Sequence, residues 1–545
     1  MALTNNLVNP LLTDKYQLTA AYAYWKNRMH EVPAVFELFF RKCPFGGEFA
    51  ICAGLGEALE FINAFRFTPE HIGAVRAVLP PDCDPEFFDW LSTVDGSCLK
   101  IRAVREGSVV FPRVPLLQVE GPLAVCQLVE TTLLNLINYP SLVATNAARF
   151  RFAAGPRKWL IEFGLRRAQG PDGAVSASRY SYLGGFDSTS NVLASHLFGI
   201  PCSGTHPHAF VASFSGLGEL FTDSLVALNG QYYDFVPRVL ENLKGMKQLF
   251  DISSTNEGEL AAFIAYAQAF PHGFLALVDT YDTLGSGVPN FLAVALALAS
   301  LGYSPVGVRL DSGDLAKLSR IVRSMFCKVG ERFGRDFGKL PIVASNEIDE
   351  KVLYELNRQG HSIDSFGIGT RLVTCWEQPA FGAVYKLVEI RGSPRFKMSE
   401  ERGKATLPGK KYPHRLLDRN GHPLMDVLTN EVHPLELYRR ENSEWHMMAG
   451  GPLRCRDPFD ATKRFSVEVA SSVPLLEYVW DGDFCPDARH PDVMIRSYVR
   501  EQLAIFGEEH LRPLNPTPYP VTVLDSYYHS LQWLWQQQLP PREIQ

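Results

Sequence analysis

Val306-Gly307-Val308-Arg309-Leu310-Asp311-Ser312-Gly313-Asp314-Leu315 is a short apolar run that stops in charge. A run of this length, rich in β-branched residues and followed by a helical pattern, reads as a buried parallel strand. Four other runs share the design. Trp159-Leu160-Ile161-Glu162-Phe163 leads into Gly164, Arg166 and Arg167, and Phe274 to Val278 ends at Asp279. Pro341 to Ala344 ends at Ser345-Asn346, and Phe366-Gly367-Ile368 ends at Gly369-Thr370. Polar residues gathered where parallel strands stop are the arrangement of a (β/α) barrel active site.

The intervening segments are helical. Leu315, Leu318, Ile321, Val322, Met325, Phe326 and Val329 form one apolar stripe, with Arg320, Arg323 and Lys328 between them. That spacing predicts a helix over 315–333 with Asp314 as its N-cap. Residues 349–358 make a shorter helix stopped by Gly360, and 290–303 a nearly all-apolar, buried one. Strand and helix alternate at intervals of about thirty residues, the βαβ rhythm. The expected fold is α/β: an irregular (β/α) TIM-like barrel over 151–385, beside a domain built from both ends of the chain. Its parts are residues 1–150 and 386–470, with a C-terminal helical region over 471–545.

Composition narrows the class. The net charge of the 545 residues is −6, which speaks against a general nucleic-acid binder. The longest apolar stretch, around Phe291 to Leu301, falls short of a bilayer span. Met1 to Asn6 lacks the basic and apolar regions of a secretory signal, and the ten cysteines are scattered singly without a close CxxC pair. Free thiols, a cytosolic location and no membrane partner are expected.

Several residues carry candidate chemistry. Asp279, Asp282, Asp311 and Asp314 could share Mg²⁺ or face a developing cation, although Asp314 reads equally as a helix cap. Arg166, Arg167 and Arg309 offer forks for phosphate or carboxylate. Gly367-Ile368-Gly369-Thr370 reads either as a phosphate cradle or as a plain glycine turn. His206 and His208 share a Gly/Pro loop with Thr205, and spacing alone leaves both histidines open.

The chain resembles the nicotinate phosphoribosyltransferase family. The matching stretches are LLTDKYQ (11–17), FELFFRKCPFGG (36–47), SLVATNAARF (141–150), FGLRRAQGPDG (163–173), SYLGGFDSTSNVLA (181–194), LDSGDL (310–315), SNEID (345–349), GIGT (367–370) and TLPG (406–409). The resemblance implies the type II phosphoribosyltransferase fold, a barrel plus an open-faced sandwich, paired as a homodimer with shared active sites. It implies synthesis of nicotinate mononucleotide from nicotinate and phosphoribosyl pyrophosphate, with ATP as co-substrate and Mg²⁺ or Mn²⁺ as cofactor. By the same resemblance Phe163 and a partner's Tyr16 stack on the pyridine, and Arg309, Thr205 and Ser190 meet the nicotinate carboxylate. Arg166, Gly369 and Thr370 hold phosphates, Asp279 and Asp311 face ribose or metal, and His208 is the histidine that ATP phosphorylates. His206 departs from the family pattern, and 216–260 matches it poorly.

Three other readings stand beside this one. Nicotinamide phosphoribosyltransferase is the nearest; there an aspartate meets the amide where this chain has Ser190. A Schiff-base barrel aldolase using Lys386 and a non-catalytic metabolite-binding paralogue are the others.

Overall fold

The computed structural model describes residues 5–397, 404–434, 437–441, 444–447 and 452–538. The last five residues, expected to be loose, lie outside that set. The chain divides into two compact units: Met1–Asn146 with Leu183–Gly185 and Cys375–Gln545, and Ala147–Tyr182 with Phe186–Thr374.

The second unit carries the strands on which the sequence reading turned. They are β1 (Trp159–Glu162), β2 (Ser188–Thr189), β3 (Leu275–Leu277), β4 (Gly307–Leu310), β5 (Ile342–Ser345) and β6 (Ser365–Ile368). They form one sheet in the order β3-β4-β5-β6-β1-β2. Every neighbouring pair is parallel. The organisation that this establishes is mixed α/β.

The helices follow the apolar stripes. Leu315–Phe333 starts where the Asp314 carboxylate accepts the Lys317 amide and stops at Gly334, whose φ is +63°. Glu350–Gln359 is capped in the same way by Asp349. Val288–Ser300 is buried along nearly its whole length. Each Val, Leu or Phe fully buried there contributes about 1.5–3 kcal/mol, so packing holds this helix rather than amphipathic patterning. It is preceded by a wide turn, Thr283–Gly287. A Cβ at Gly287 would sit 1.9 Å from the Val278 carbonyl oxygen, so only glycine lets this turn press against the end of β3.

Together, turn and helix make Thr283–Ser300 long and apolar enough to cross a membrane by length and composition. The sequence reading, which counted only Phe291 to Leu301, stopped short of this. Of that window 72% is buried within the fold, the pattern of a core helix.

The first unit is built mainly on antiparallel pairing, with Pro423–Thr429 and Val521–Leu524 running parallel. One six-stranded sheet joins 33–40, 100–103 and 117–122 to 383–390, 393–394 and 477–481. Ala383–Ile390 pairs antiparallel with Pro33–Phe40. A second six-stranded sheet takes in 412–417, 423–429, 452–456, 464–468, 471–474 and 521–524. Residues 471–545 therefore carry strands at 471–474, 477–481 and 521–524 beside their helices. In the tail Trp535 stacks on Phe459, at 5.9 Å between ring centroids, whereas Trp533 is exposed. All ten cysteines are free.

Candidate functional site

Strand register builds the site. Leu277 pairs with Arg309, and Arg309 with Val343. Two residues further along, Asp279, Asp311 and Ser345 fall side by side. Ser345 pairs with Gly367, and Gly367 with Ile161. Side chains alternate along a strand, so one face presents this row at the carboxyl ends. Phe163 and Ser190 follow two residues beyond the paired Ile161 and Ser188.

The carboxylates and the histidine come together here. Asp279 Oδ2 accepts the Asp311 amide at 3.0 Å and the Ser312 hydroxyl. Asp279 Oδ1 is buried and has no hydrogen-bond partner. His208 Nε2 lies 3.9 Å from that oxygen and 3.6 Å from Asp311 Oδ2. Its Nδ1 is 3.0 Å from the Thr280 hydroxyl, which fixes the ring. An unpaired buried carboxylate oxygen is costly and calls for a donor or a cation. Mg²⁺ and Mn²⁺ suit such a set, being held by one or two carboxylates together with substrate phosphates and water. Among the described residues no group of three or more His, Cys, Asp or Glu is placed to cage a metal.

The guanidinium faces the same place with the opposite demand. Arg309 Nε donates to Ser345 Oγ at 2.8 Å, and Nη2 lies 3.1 Å from Asp311 Oδ1. Its carbon sits 5.3 Å from the Phe163 ring centroid. A guanidinium has two bidentate edges. The Nε–Nη2 edge is engaged by Ser345 and Asp311, which leaves the Nη1–Nη2 edge for an anion beside the aromatic ring. That ring has its place because a Cβ at Gly367 would lie 2.3 Å from it.

Comparison with known proteins bears directly on this geometry. Models of the nicotinate phosphoribosyltransferase N-terminal and C-terminal domains match residues 11–138 and 410–531. The nicotinate phosphoribosyltransferase of Dictyostelium discoideum is 51% identical over 541 residues, covering 99% of this chain and 90% of that protein. Nicotinate phosphoribosyltransferase 1 of Arabidopsis thaliana is 50% identical over 553 residues, covering 99% and 96%. The chain belongs to the nicotinate phosphoribosyltransferase family. It is an enzyme of the phosphoribosyltransferase class. The crystal structure of human nicotinic acid phosphoribosyltransferase superposes with a TM-score of 0.84 at 42% identity, over 96% of this chain and 99% of that one.

Not every candidate residue joins the cluster. Asp282 and Asp314 spend their carboxylates capping the segments that follow them. The Thr205 hydroxyl donates to the Leu275 carbonyl at 2.7 Å, so it presents acceptor capacity, which a carboxylate cannot use. Ser190 directly follows β2, with its amide donating to the Glu162 carbonyl at 3.0 Å. Arg166 is exposed on the turn Leu165–Arg167. Gly369 precedes the short turn Thr370–Val373, with Thr370 exposed. Tyr16 belongs to the other unit, on the helix Lys15–Lys26, and is 52% exposed. Lys386 also lies in that unit, opposite Glu37 on the antiparallel sheet, and its ammonium donates to the Tyr385 carbonyl. It is no part of the parallel sheet, which removes the basis of the aldolase reading.

The two histidines separate cleanly. His206 is buried among Phe210, Phe263 and Tyr266, and its Nε2 accepts the Leu277 amide at 3.3 Å. Burial pushes its pKa down to about 4, and the nearby Arg309 and His208 charges add to this. His206 is thus a neutral prop under β3, and His208 faces the carboxylates.

Sequence reasoning missed the roles of Glu162 and Thr280, and it noted Ser345 only as a strand end. Glu162 is buried and accepts from the Gly164 amide and from the Ser178 and Thr189 hydroxyls, which shapes the turn after Phe163. Burial raises its pKa, against the lowering effect of those donors. A lone carboxylate inside an apolar strand was the signal available for it.

Proposed function

We propose that this chain joins nicotinate to phosphoribosyl pyrophosphate, giving nicotinate mononucleotide and pyrophosphate, the first step from nicotinate towards NAD. The observation that carries this is the free Arg309 edge beside Phe163, within one residue row of Asp279 and Asp311. It suits a flat aromatic ring bearing a carboxylate. Ser190, where nicotinamide-specific relatives place an aspartate, does not repel that carboxylate and favours nicotinate over nicotinamide.

The pyridine nitrogen brings its own lone pair, so no protein base is required. Its attack on the anomeric carbon accompanies loss of pyrophosphate, and positive charge develops on the sugar. Asp279 and Asp311 stabilise that charge. When bound by these two carboxylates, Mg²⁺ or Mn²⁺ supplies positive charge against the leaving pyrophosphate. Arg166 and the amides at Gly369 and Thr370 bind phosphate oxygens.

ATP coupling runs through His208. With Nδ1 held by Thr280, Nε2 is the nitrogen that takes the γ-phosphoryl group while ADP departs. The new group adds roughly two negative charges beside Asp279 and Asp311. The irregular barrel and sandwich, a cytosolic homodimer, and a partner's Tyr16 closing the pyridine stack complete this reading; the half-exposed Tyr16 ring is consistent with it.

The test is a product assay with phosphoribosyl pyrophosphate, offering nicotinate and nicotinamide separately, with and without ATP. Nicotinate mononucleotide should form, faster with ATP, and label from γ-phosphate-labelled ATP should be lost in His208→Ala. Equal use of both bases would favour the nicotinamide-type reading. No product with either base would leave a non-catalytic paralogue.

A further inference from the structure

Ser345 closes β5 at the height of Asp311 and Gly367, and only 4% of its surface is exposed. Its hydroxyl has one proton and two lone pairs. The proton goes to Asp311 Oδ1, and a lone pair accepts Arg309 Nε–H at 2.8 Å. One small group therefore fixes both charged residues. The chain then leaves abruptly: Asn346 and Glu347, neither a glycine, have φ of +110° and +43°. Two consecutive residues in sparsely populated backbone regions persist only where surroundings over-determine them, and such strain gathers at functional sites.

We infer that Ser345 is a positioning residue that holds the free Nη1–Nη2 edge of Arg309 where the substrate carboxylate binds. This rests on the nicotinate reading above. While the serine holds Nε, the Nη1–Nη2 edge is presented beside Phe163. Without the hydroxyl, Arg309 is free to turn both nitrogens of its Nε edge onto the Asp311 carboxylate, the bidentate geometry that such pairs prefer. The guanidinium is then drawn off the nicotinate carboxylate. The effect falls chiefly on specificity: the nicotinate carboxylate loses its partner, whereas Asp311 exchanges the serine hydroxyl for the Arg309 Nε and keeps its charge, so phosphoribosyl pyrophosphate feels it far less.

The experiment compares wild type, Ser345→Ala and Ser345→Thr as full-length protein. Hydrogen bonds to charged groups are worth about tenfold or more in affinity. Ser345→Ala should raise KM for nicotinate by about tenfold while KM for phosphoribosyl pyrophosphate moves by less than about twofold. The nicotinate-over-nicotinamide preference should fall by the same factor, and Ser345→Thr should restore most of it. In a double-mutant cycle, Arg309→Lys, which lacks Nε, should make the Ser345→Ala effect largely disappear. If Ser345→Ala fails to fold, Ser345→Cys keeps the volume with a weak donor and is read in the same way. An unchanged nicotinate KM, an equal loss for both substrates, or full additivity with Arg309→Lys would overturn the inference. A wild type that makes no nicotinate mononucleotide sinks the functional reading instead, so the two failures are distinguishable.

Discussion

Two arginines, one in each unit, show how a structural charge differs from a functional one. Arg415 is buried in the first unit, and its fork is spent. Nε and Nη2 meet Asp426 at 2.8 and 2.9 Å, Nη2 also reaches the Val109 carbonyl, and Nη1 reaches Gln502. Asp426 in turn accepts from Tyr519, and Phe506 lies against the guanidinium. The ion pair holds the Arg415 pKa above its ordinary value, more than offsetting the burial that lowers it. Arg309 in the second unit is satisfied along one edge only, and the neighbouring Asp279 keeps an unpaired oxygen. Paired charge holds a fold, whereas unspent valence aimed at one place needs a ligand to complete it. Both arginines lie in apolar strands, so sequence alone does not tell them apart.

The comparison breaks most visibly at the structural pair. Removing one partner of a buried ion pair costs about 3–5 kcal/mol, because the other is left charged and alone. Arg415→Ala should lower the stability of the first unit by that amount in urea unfolding. Arg309→Ala should leave stability nearly intact and instead weaken nicotinate use by about thirtyfold or more. If the two variants swap these phenotypes, the distinction between spent and unspent valence is wrong.

Asp279→Asn sharpens the functional side. It keeps the shape and one acceptor, and removes the charge that we propose faces the developing cation. Losing one such electrostatic group costs about a hundredfold to a thousandfold in kcat. The Asp279→Asn protein should unfold at the wild-type urea midpoint while its turnover falls by that factor. Turnover within about threefold of wild type would take Asp279 out of the chemistry.

Part of this was legible in the sequence and part was not, for a physical reason. The helix Leu315–Phe333 and its Asp314 cap follow from a local stripe and a local hydrogen bond, and they form as read. The strand ends at Asp279, Asp311, Ser345 and Gly369 were visible as places where apolar runs stop. Which of them touch depends on register between strands tens of residues apart, and that is set by packing. Hence Ser345, which bridges Arg309 and Asp311, was noted only as a strand end, and Thr205, placed on the substrate by family likeness, has its proton on Leu275. The pairing of 383–390 with 33–40 is equally non-local.

The smallest expected effect concerns acid, and it compares a buried histidine in each unit. His206 in the second unit and His414 in the first are both held at a pKa of about 4, in each case chiefly by burial. An unfolded histidine takes up its proton near pH 6.5. Between about pH 6.5 and 4 the unfolded chain therefore binds protons that the folded chain refuses, so stability falls as pH falls through that window. Each histidine contributes a slope of at most about 1.4 kcal/mol per pH unit. His206→Gln removes the titration and leaves an amide able to accept the Leu277 amide. Its absolute stability is beside the point; the slope between pH 6.5 and 4.5 is what is read from urea unfolding at several pH values. That slope should flatten relative to wild type, and His414→Gln should flatten it separately. Because Leu277 lies two residues before Asp279, the acid loss at His206 should also be felt as lost turnover before global unfolding, whereas that at His414 should not. A slope unchanged in His206→Gln would mean that this ring already carries its proton in the folded state, and its place as a neutral prop under β3 would have to be given up.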